Sequence, residues 1–468
     1  MLLLAHGFHL AHDPAERALG KPYPPLGTLI SASDLDRAGV AHAFYDATFS
    51  ADADLFARAL DGHRPGHVAI VADPHAVPAK MCTLAHRADV LTMIAAAKSR
   101  GAAVFVAGPD VSDHPDAYAA ADVVCVGEHD ARLIAWARGA AMAGVTPRGE
   151  PRDLTDLPFP AWDRVDLAGY AARWRGRHGA WEMNVAASRG CPWRCNWCAK
   201  PTWGRGYRAR PAEAVAAEVA ALRARGVDRI AFTDDVFALK PGWLRSYAQS
   251  SRGGALPYRC LTRADLLQDA AFARDLAASG CDEVWIGAES GSDAVLAAMD
   301  KDGTVAEIER AATNLAAHGI RRGFFLQLGY PGESMADVDA TIAMVRRVRP
   351  EAIGVSVSYP LPGTVFHDRV ASRMRKRNWD ASMTNEVLFE TDLPQQYYDA
   401  VRELLRAEHA IVGFRPVLSR QGARRALALP RHAGAWLGAE ARIARYRFPS
   451  KARTSSTQSS PTGAVGGR

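Results

Sequence analysis

Asn184-Val-Ala-Ala-Ser-Arg-Gly190-Cys191-Pro-Trp-Arg-Cys195-Asn-Trp-Cys198 is the stretch on which the reading of this chain turns. Its first half has the profile of a strand running into a glycine-ended loop. Its second half places three of the seven cysteines within eight residues. Thiolates this close together imply a metal site. Structural zinc usually takes a full set of Cys and His ligands in paired C-x2-C or H-x3-H spacings. Cys191, Cys195 and Cys198 instead form a C-x3-C-x2-C run with no second pair nearby. A disulfide would leave one thiol over. An iron–sulfur cluster with three thiolate-held irons and one iron left open for chemistry fits best.

Working outward, a βα series starts near Glu182. Strands are predicted at 182–187, 228–233, 257–262, 283–288, 321–328 and 352–358, with helices at about 211–225, 241–251, 267–279, 304–318 and 334–348. Six such strands close naturally as a partial βα barrel, which carries its chemistry on the loops after the strands. The cysteine run follows the first strand and so falls on that face. Thr233-Asp234-Asp235, Arg263, Glu289-Ser290-Gly-Ser292, Gln327 and Tyr359-Pro-Leu-Pro-Gly-Thr364 close later strands. Singly, each reads as a polar loop residue or a helix cap. Together they outline a site on one barrel face.

Residues 1–146 alternate short apolar strands (Leu2–Ala5, Ala43–Asp46, Val68–Ala72, Ala103–Gly108, Asp122–Val126) with helical stretches such as Leu26–Ala38 and Leu84–Ser99. This rhythm predicts a doubly wound, Rossmann-like parallel sheet, which binds ligands beyond its strand C-termini. Gly7, Gly108 and Gly127 mark those ends, and Gly108 is a candidate cofactor contact. Residues 147–180 are proline-rich and read as an extended linker, and 181–365 form the barrel. Residues 366–451 turn helical, with Gln395–Val412 amphipathic, and 452–468 are low in complexity and expected to be disordered. The fold class is α/β throughout, with a helical C-terminal region.

A chain of 468 residues exceeds one ordinary core. Apolar residues make up 48% and charged residues 23%, the balance of a globular protein and not of a disordered one. The formal charge is 57 − 51 = +6. Arg415, Arg420, Arg424, Arg425, Arg431, Arg442, Arg445, Arg447, Lys451 and Arg453 concentrate basic charge late in the chain. No nucleic-acid module accompanies them, so a solvated basic helical surface is expected and no nucleic-acid partner. No run reaches the ~18 apolar residues of a membrane span. Met1-Leu-Leu-Leu-Ala5 reads as a first strand and not as a signal peptide. Few, clustered cysteines point to a reducing, cytoplasmic setting.

With Trp197 before its last cysteine, the run resembles the C-x3-C-x-aromatic-C signature of the radical S-adenosylmethionine (radical SAM) enzymes. The resemblance implies a 4Fe-4S cluster whose open iron binds the amino and carboxylate groups of S-adenosylmethionine. One-electron cleavage then gives a 5′-deoxyadenosyl radical. It further implies that Asp234 and Asp235 contact the methionyl amino group, although Gly-Gly-Glu is the commoner pattern there. On the same grounds Arg263 would pair with the methionyl carboxylate. Glu289, Ser290 and Ser292 would meet the ribose, and Gln327 would help form the adenine end.

The stretches Lys21-Pro-Tyr-Pro-Pro-Leu-Gly-Thr28, Val68-Ala-Ile-Val-Ala72, Val106-Ala-Gly-Pro109, Ala121-Asp-Val-Val-Cys-Val-Gly-Glu128, Leu157-Pro-Phe-Pro-Ala-Trp162 and Ser188-Arg-Gly-Cys-Pro192 look like the radical SAM subgroup with a cobalamin-binding domain. This covers roughly residues 1–365. It implies a cobalamin-dependent methyltransferase acting on an unactivated carbon of a small molecule, with an electron donor such as flavodoxin or ferredoxin. Radical cyclisation or rearrangement with the same cofactors, and a non-catalytic iron–sulfur or corrinoid-binding protein, are the alternatives. Asp73-Pro-His75-Ala-Val-Pro78 differs from the cobalt-ligating Asp-x-His-x-x-Gly motif at its last position and follows the wrong strand. His75 is therefore expected to be satisfied or solvent-facing, and His6 and His9 are weaker candidates still.

Overall fold

The computed structural model describes residues 1–50, 54–73, 75–76, 80–198, 204, 206–412 and 420–447. The low-complexity tail, Pro78, Arg415, Lys451 and Arg453 lie outside the described residues. The chain divides into two units, Met1–Asp392 and Leu393–Arg468.

The first unit opens with strands β1 (Leu2–His6), β2 (His42–Asp46), β3 (His67–Val71), β4 (Ala103–Ala107), β5 (Val123–Cys125) and β6 (Gly144–Val145). They form one parallel sheet in the order β2-β1-β3-β4-β5-β6. Side chains alternate across a strand, and here both faces are apolar and covered. Leu3, Ala5, Val68, Ile70, Val104 and Val106 pack with Phe56, Val90, Met93 and Ile94 on one face. Leu2, Leu4, Ala69, Val71, Phe105 and Ala107 pack with Ala32, Leu35 and Trp136 on the other. In this order the chain switches direction between β1 and β3, which opens a crevice at their C-terminal ends.

The second sheet of this unit comprises β7 (Glu182–Val185), β10 (Arg229–Phe232), β11 (Tyr258–Thr262), β12 (Cys281–Glu289), β13 (Arg321–Leu328) and β14 (Ala352–Val357). All are parallel, in the order β14-β13-β12-β11-β10-β7. Helices Ala212–Ala224, Trp243–Ser250, Ala270–Ala278, Val305–Ala317 and Met335–Val348 connect them, within a few residues of their predicted places. Thr304 with Glu307, and Ser334 with Asp337, start the last two as capping boxes. Between β7 and β10 lies a short antiparallel pair, β8 (Ser188–Arg189) with β9 (Arg208–Ala209).

Two stretches differ from the sequence expectation. The proline-rich linker contains a twelve-residue helix, Leu167–His178, capped by the Asp166 carboxylate accepting from the Gly169 amide at 2.9 Å and ended by Gly179. It buries only Tyr170, Ala171 and Trp174, and Trp174 Nε1 donates to the Pro22 carbonyl at 2.6 Å. Its order comes from that tertiary packing, which a periodicity search does not see. The region after 366 is not continuously helical. Beyond helix Val365–Val370 and a single turn, residues 374–394 are largely irregular, with one bridge between Met374 and Phe389. This segment closes on the first sheet: the Leu84 amide donates to the Trp379 carbonyl at 2.9 Å, and the Ser382 amide to Asp13 at 3.0 Å. The second unit holds helices Gln395–Val412 and Arg420–Arg447. No helix of the described residues is long and apolar enough to cross a membrane.

Candidate active site

The β8–β9 pair clips together the two ends of the cysteine loop. Gly190 turns the chain out of β8 with φ +86°, and a Cβ there would lie 1.9 Å from the Gly206 carbonyl oxygen. Only glycine fits that closure. Cys191 is buried, while Cys195 and Cys198 are half-buried. The Cys198 amide donates to the Cys195 carbonyl at 3.2 Å, turning the last two thiols through a tight bend. Among the described residues no three His, Cys, Asp or Glu side chains converge as on a single metal ion. A polynuclear cluster, with one thiolate per iron, asks for a wider triangle.

Asn196, inside the cysteine run, anchors the loop to the rest of the barrel. Its Nδ2 donates to the Ala298 carbonyl and to Asp300, both at 2.8 Å, and its Oδ1 accepts from Tyr330 Oη at 2.8 Å. Its amide donates to the Met299 carbonyl at 3.0 Å, and its carbonyl accepts from the Phe366 amide at 2.9 Å. Trp197 packs against the apolar cluster of Val295, Met299, Tyr330 and Phe366, with Lys301 Nζ 5.9 Å above its ring.

Arg263 follows β11 and reaches the loop directly. Its guanidinium lies 4.3 Å over the Trp193 ring, and Nη1 points at Cys195 Sγ from 3.8 Å. Its remaining donors go to Asp265 and to the carbonyls of Lys301 and Asp302. With Gly287, Lys301, Gly303 and Thr304 it lines a small cavity of about 20 Å³. Glu289 ends β12 in the left-handed region, φ +58°, buried and accepting from Lys301 Nζ at 2.9 Å. Backbone strain of this kind at a non-glycine position persists only where the surroundings enforce it.

The other sequence candidates fall at the same strand ends with varied duties. Asp234 is buried and ties the β7–β8 connection, accepting from the Ala187 amide at 3.2 Å and from the Ser188 hydroxyl. Burial pushes its carboxyl up to about 7. Asp235 lies 3.5 Å from Lys80 Nζ. Ser290 and Ser292 are turned to helix Met335–Val348: Ser290 Oγ sits 3.2 Å from Thr341 Oγ1, and Ser292 donates to Asp337 at 2.6 Å while capping helix Asp293–Ala298. Gln327 donates to Ser358 at 3.1 Å. Gly108 follows β4 and opens helix Pro109–Asp113.

The crevice between β1 and β3 is turned to the barrel's strand ends. His75 is buried and its Nδ1 lies 3.3 Å from Thr233 Oγ1, at the end of β10. Asp73 accepts from the amides of Gly27 and His75, and burial pushes it up to about 6. His6 is pushed down to about 3 by burial, with His86 beside it adding to the shift. Both ring nitrogens of His86, His6 Nδ1 and Thr83 Oγ1 are buried and find no hydrogen-bond partner among the described residues. Orphaned polar atoms grouped at a switch-point crevice call for a polar-fringed ligand.

The sequence reading missed Asn196, Lys301 and the ionic ties beneath the loop. Arg189 donates to Glu128 at 2.9 Å and Asp130 at 3.1 Å, and Arg152 joins Asp130 at 3.0 Å and Asp34. Asn196 had a usable signal, its place between two cysteines of the run. Arg189 had none, because its partners come from the other sheet.

Residues 185–345 match the Radical SAM superfamily, so this stretch is a radical SAM domain. Over 212 residues the chain is 27% identical to a bacteriochlorophyllide d C-12(1)-methyltransferase of Chlorobaculum tepidum, covering 44% of this chain and 46% of that protein. It thus spans about half that relative's length. Two solved structures share the fold. The radical S-adenosylmethionine methyltransferase TsrM of Kitasatospora setae aligns with a TM-score of 0.64 at 18% identity, over 79% of this chain and 76% of its own. The cobalamin-dependent S-adenosylmethionine radical enzyme OxsB aligns with 0.69 at 14% identity, over 94% and 72%.

Proposed function

We propose that this chain, with its radical SAM domain, is a cobalamin-dependent methyltransferase acting on an unactivated carbon of a small molecule. One observation carries the reading. Within a single unit, both the β1/β3 crevice and the clipped three-cysteine loop meet C-terminal strand ends of the barrel, His75 and Lys80 at Thr233 and Asp235 after β10, and the loop at Arg263 after β11. Methyltransferase and cobalamin in the names of the similar proteins support it.

Cys191, Cys195 and Cys198 would hold a 4Fe-4S cluster. Arg263 would direct an N–H at the Cys195 sulfur and place a positive charge beside the reduced cluster. Glu289, held by Lys301, with Asp235 and Gln327 would bind and orient S-adenosylmethionine at the strand ends. Asp234 would hold the loop and not the cofactor, since both its oxygens are taken by the β7–β8 connection. His86, His6 and Thr83 would bond the amide fringe of a corrinoid. When bound, the cluster supplies the electron that opens S-adenosylmethionine to a hydrogen-abstracting radical, and the corrinoid supplies the methyl group. Packing of the two sheets would exclude water from the space between them. A flavodoxin- or ferredoxin-type protein would deliver the electron.

The test is anaerobic reconstitution with iron, sulfide and hydroxocobalamin. The wild type should form 5′-deoxyadenosine with a strong reductant, and Cys195→Ala should form none. A corrinoid absorption band should survive gel filtration. Undiminished deoxyadenosine in the variant would sink the radical chemistry, and loss of that corrinoid band on gel filtration would sink the corrinoid. With substrate, deoxyadenosine without S-adenosylhomocysteine would replace methylation with rearrangement.

A further inference from the structure

We infer that the substrate has a rigid, flat, largely apolar body of fused rings, seated on an aromatic shelf formed by Trp285 and Phe325 on the concave face of the barrel. This deepens the function proposed above and rests on it for the reaction, though not for binding. Along β12 and β13, Val284, Ile286, Ala288, Phe324, Leu326 and Leu328 are fully buried toward the helices. The alternate residues therefore face the barrel interior.

On that inner face Phe325 is 41% exposed and Trp285 half-buried, so both rings present aromatic surface to the barrel interior. Their rings are stacked, with centroids 4.5 Å apart and planes 29° apart. They lie flat because the neighbouring strands give them glycine. A Cβ on Gly323 would meet the Trp285 ring at 2.4 Å, and one on Gly354 would meet the Phe325 ring at 3.1 Å. The indole is also held in place, since Nε1 donates to Glu283 at 2.7 Å and Glu283 is in turn paired with Arg321 at 2.9 Å.

The shelf is continuous with the site described above. Phe325 stands in register with Gly287, which lines the cavity shared by Arg263 and Lys301, and Gln327 is the next residue along the same face. A pinned, flat, partly exposed ring pair next to that cavity offers offset stacking to a planar ligand. It offers a flexible chain no comparable geometry, and it offers few hydrogen bonds to a polar one.

The test uses full-length, cluster-loaded protein and follows fluorescence anisotropy of pyrenebutyrate, a flat fused-ring acid, with palmitate as a flexible acid competitor. Pyrenebutyrate should bind and palmitate should displace it poorly. Phe325→Ala, which removes the shelf, should weaken binding about ten-fold. Gly354→Leu, which covers it, should do the same, and Phe325→Tyr should bind nearly as wild type. Absent binding, equal displacement by palmitate, or affinity unchanged in both disruptive variants would overturn the inference. So would a concentration-dependent dimer that Phe325→Ala abolishes, since a second copy would then be what covers the rings. Deoxyadenosine formation is measured on the same samples. Protein that makes it without binding the probe sinks only the substrate class, and protein that binds the probe without making it sinks only the chemistry.

Discussion

Asn196 carries more of the site than its chemistry alone would predict. Its side chain joins the cysteine loop to Ala298, Asp300 and Tyr330. Asn196→Ala should untie the loop from the exposed Ala298 carbonyl and Asp300 and take one partner from the buried Tyr330 hydroxyl, at about 1 kcal/mol for each hydrogen bond lost. The expected outcome is a lowered melting temperature together with loss of iron on gel filtration. Iron retained at the wild-type level would mean that the loop is held without this residue. Glu333 gives a second residue-scale prediction, on pH. Burial pushes its carboxyl from 4.5 up to about 8, with Asp337 adding to the shift. The folded state therefore holds the proton more tightly than the unfolded chain, so this group's contribution is complete below about pH 4.5 and is lost as pH rises through about 8. Glu333→Gln keeps an acceptor for the Gly329 amide, which donates to Glu333 at 2.6 Å. Its melting temperature should gain on wild type across that window, and parallel curves would refute the assignment. At this scale the spacing of the three cysteines and Trp197 is the signal the sequence carries, and it lies inside the stretch 185–345 that matches the Radical SAM superfamily. Ser290 and Ser292 carry a weaker signal, because a hydroxyl at a strand end can face a ligand or the next helix; in the fold both bond helix Met335–Val348.

Among the elements, the β8–β9 clip is the one that closes the cysteine loop. It is two residues long on each side, too short for any strand signal, and it exists because Gly190 admits the Gly206 carbonyl. Gly190→Ala combines a positive φ with a contact no neighbour can relieve, so the clip should open. The expected phenotype is selective: iron incorporation falls sharply while the corrinoid absorption of the reconstituted protein persists, because the β1/β3 crevice is built from other strands. Visible spectra and iron analysis on one sample check it, and normal iron content would refute it. The regular elements were far easier to read. Barrel strand β13 lies where the alternation of apolar residues put it, 321–328, and helix Gln395–Val412 matches its amphipathic span. Helix Leu167–His178 escaped because its buried side chains answer to Pro22 and Tyr23 in the first sheet's loops and not to a sustained period of its own.

For the unit Met1–Asp392 as a whole, what matters is that two separately legible sheets are joined by charges no local reading could pair. Arg189, one residue before Gly190, is 3% exposed and meets Glu128 and Asp130, which follow β5 of the first sheet. Arg208, from the opposite side of the clip, also reaches Glu128, and Arg152 ties Asp130 to Asp34. Asp130 is held far below the usual carboxylate range; burial opposes ionisation, and Arg189 with its neighbours overcomes it. A buried network of this kind adds little net stability when intact, but breaking one member strands the others, at about 3–5 kcal/mol. Arg189→Met should therefore do what Cys195→Ala does not. On the function proposed above, Cys195→Ala removes a ligand and should cost the cluster alone. Arg189→Met keeps all three cysteines and every crevice residue, yet withdraws the charge that ties the cysteine loop to Glu128 and Asp130. Cluster and corrinoid should be lost together, and trypsin should begin to cut within residues 147–180. A variant that loses iron but keeps its corrinoid and resists trypsin would make Arg189 a local support of the loop and nothing more.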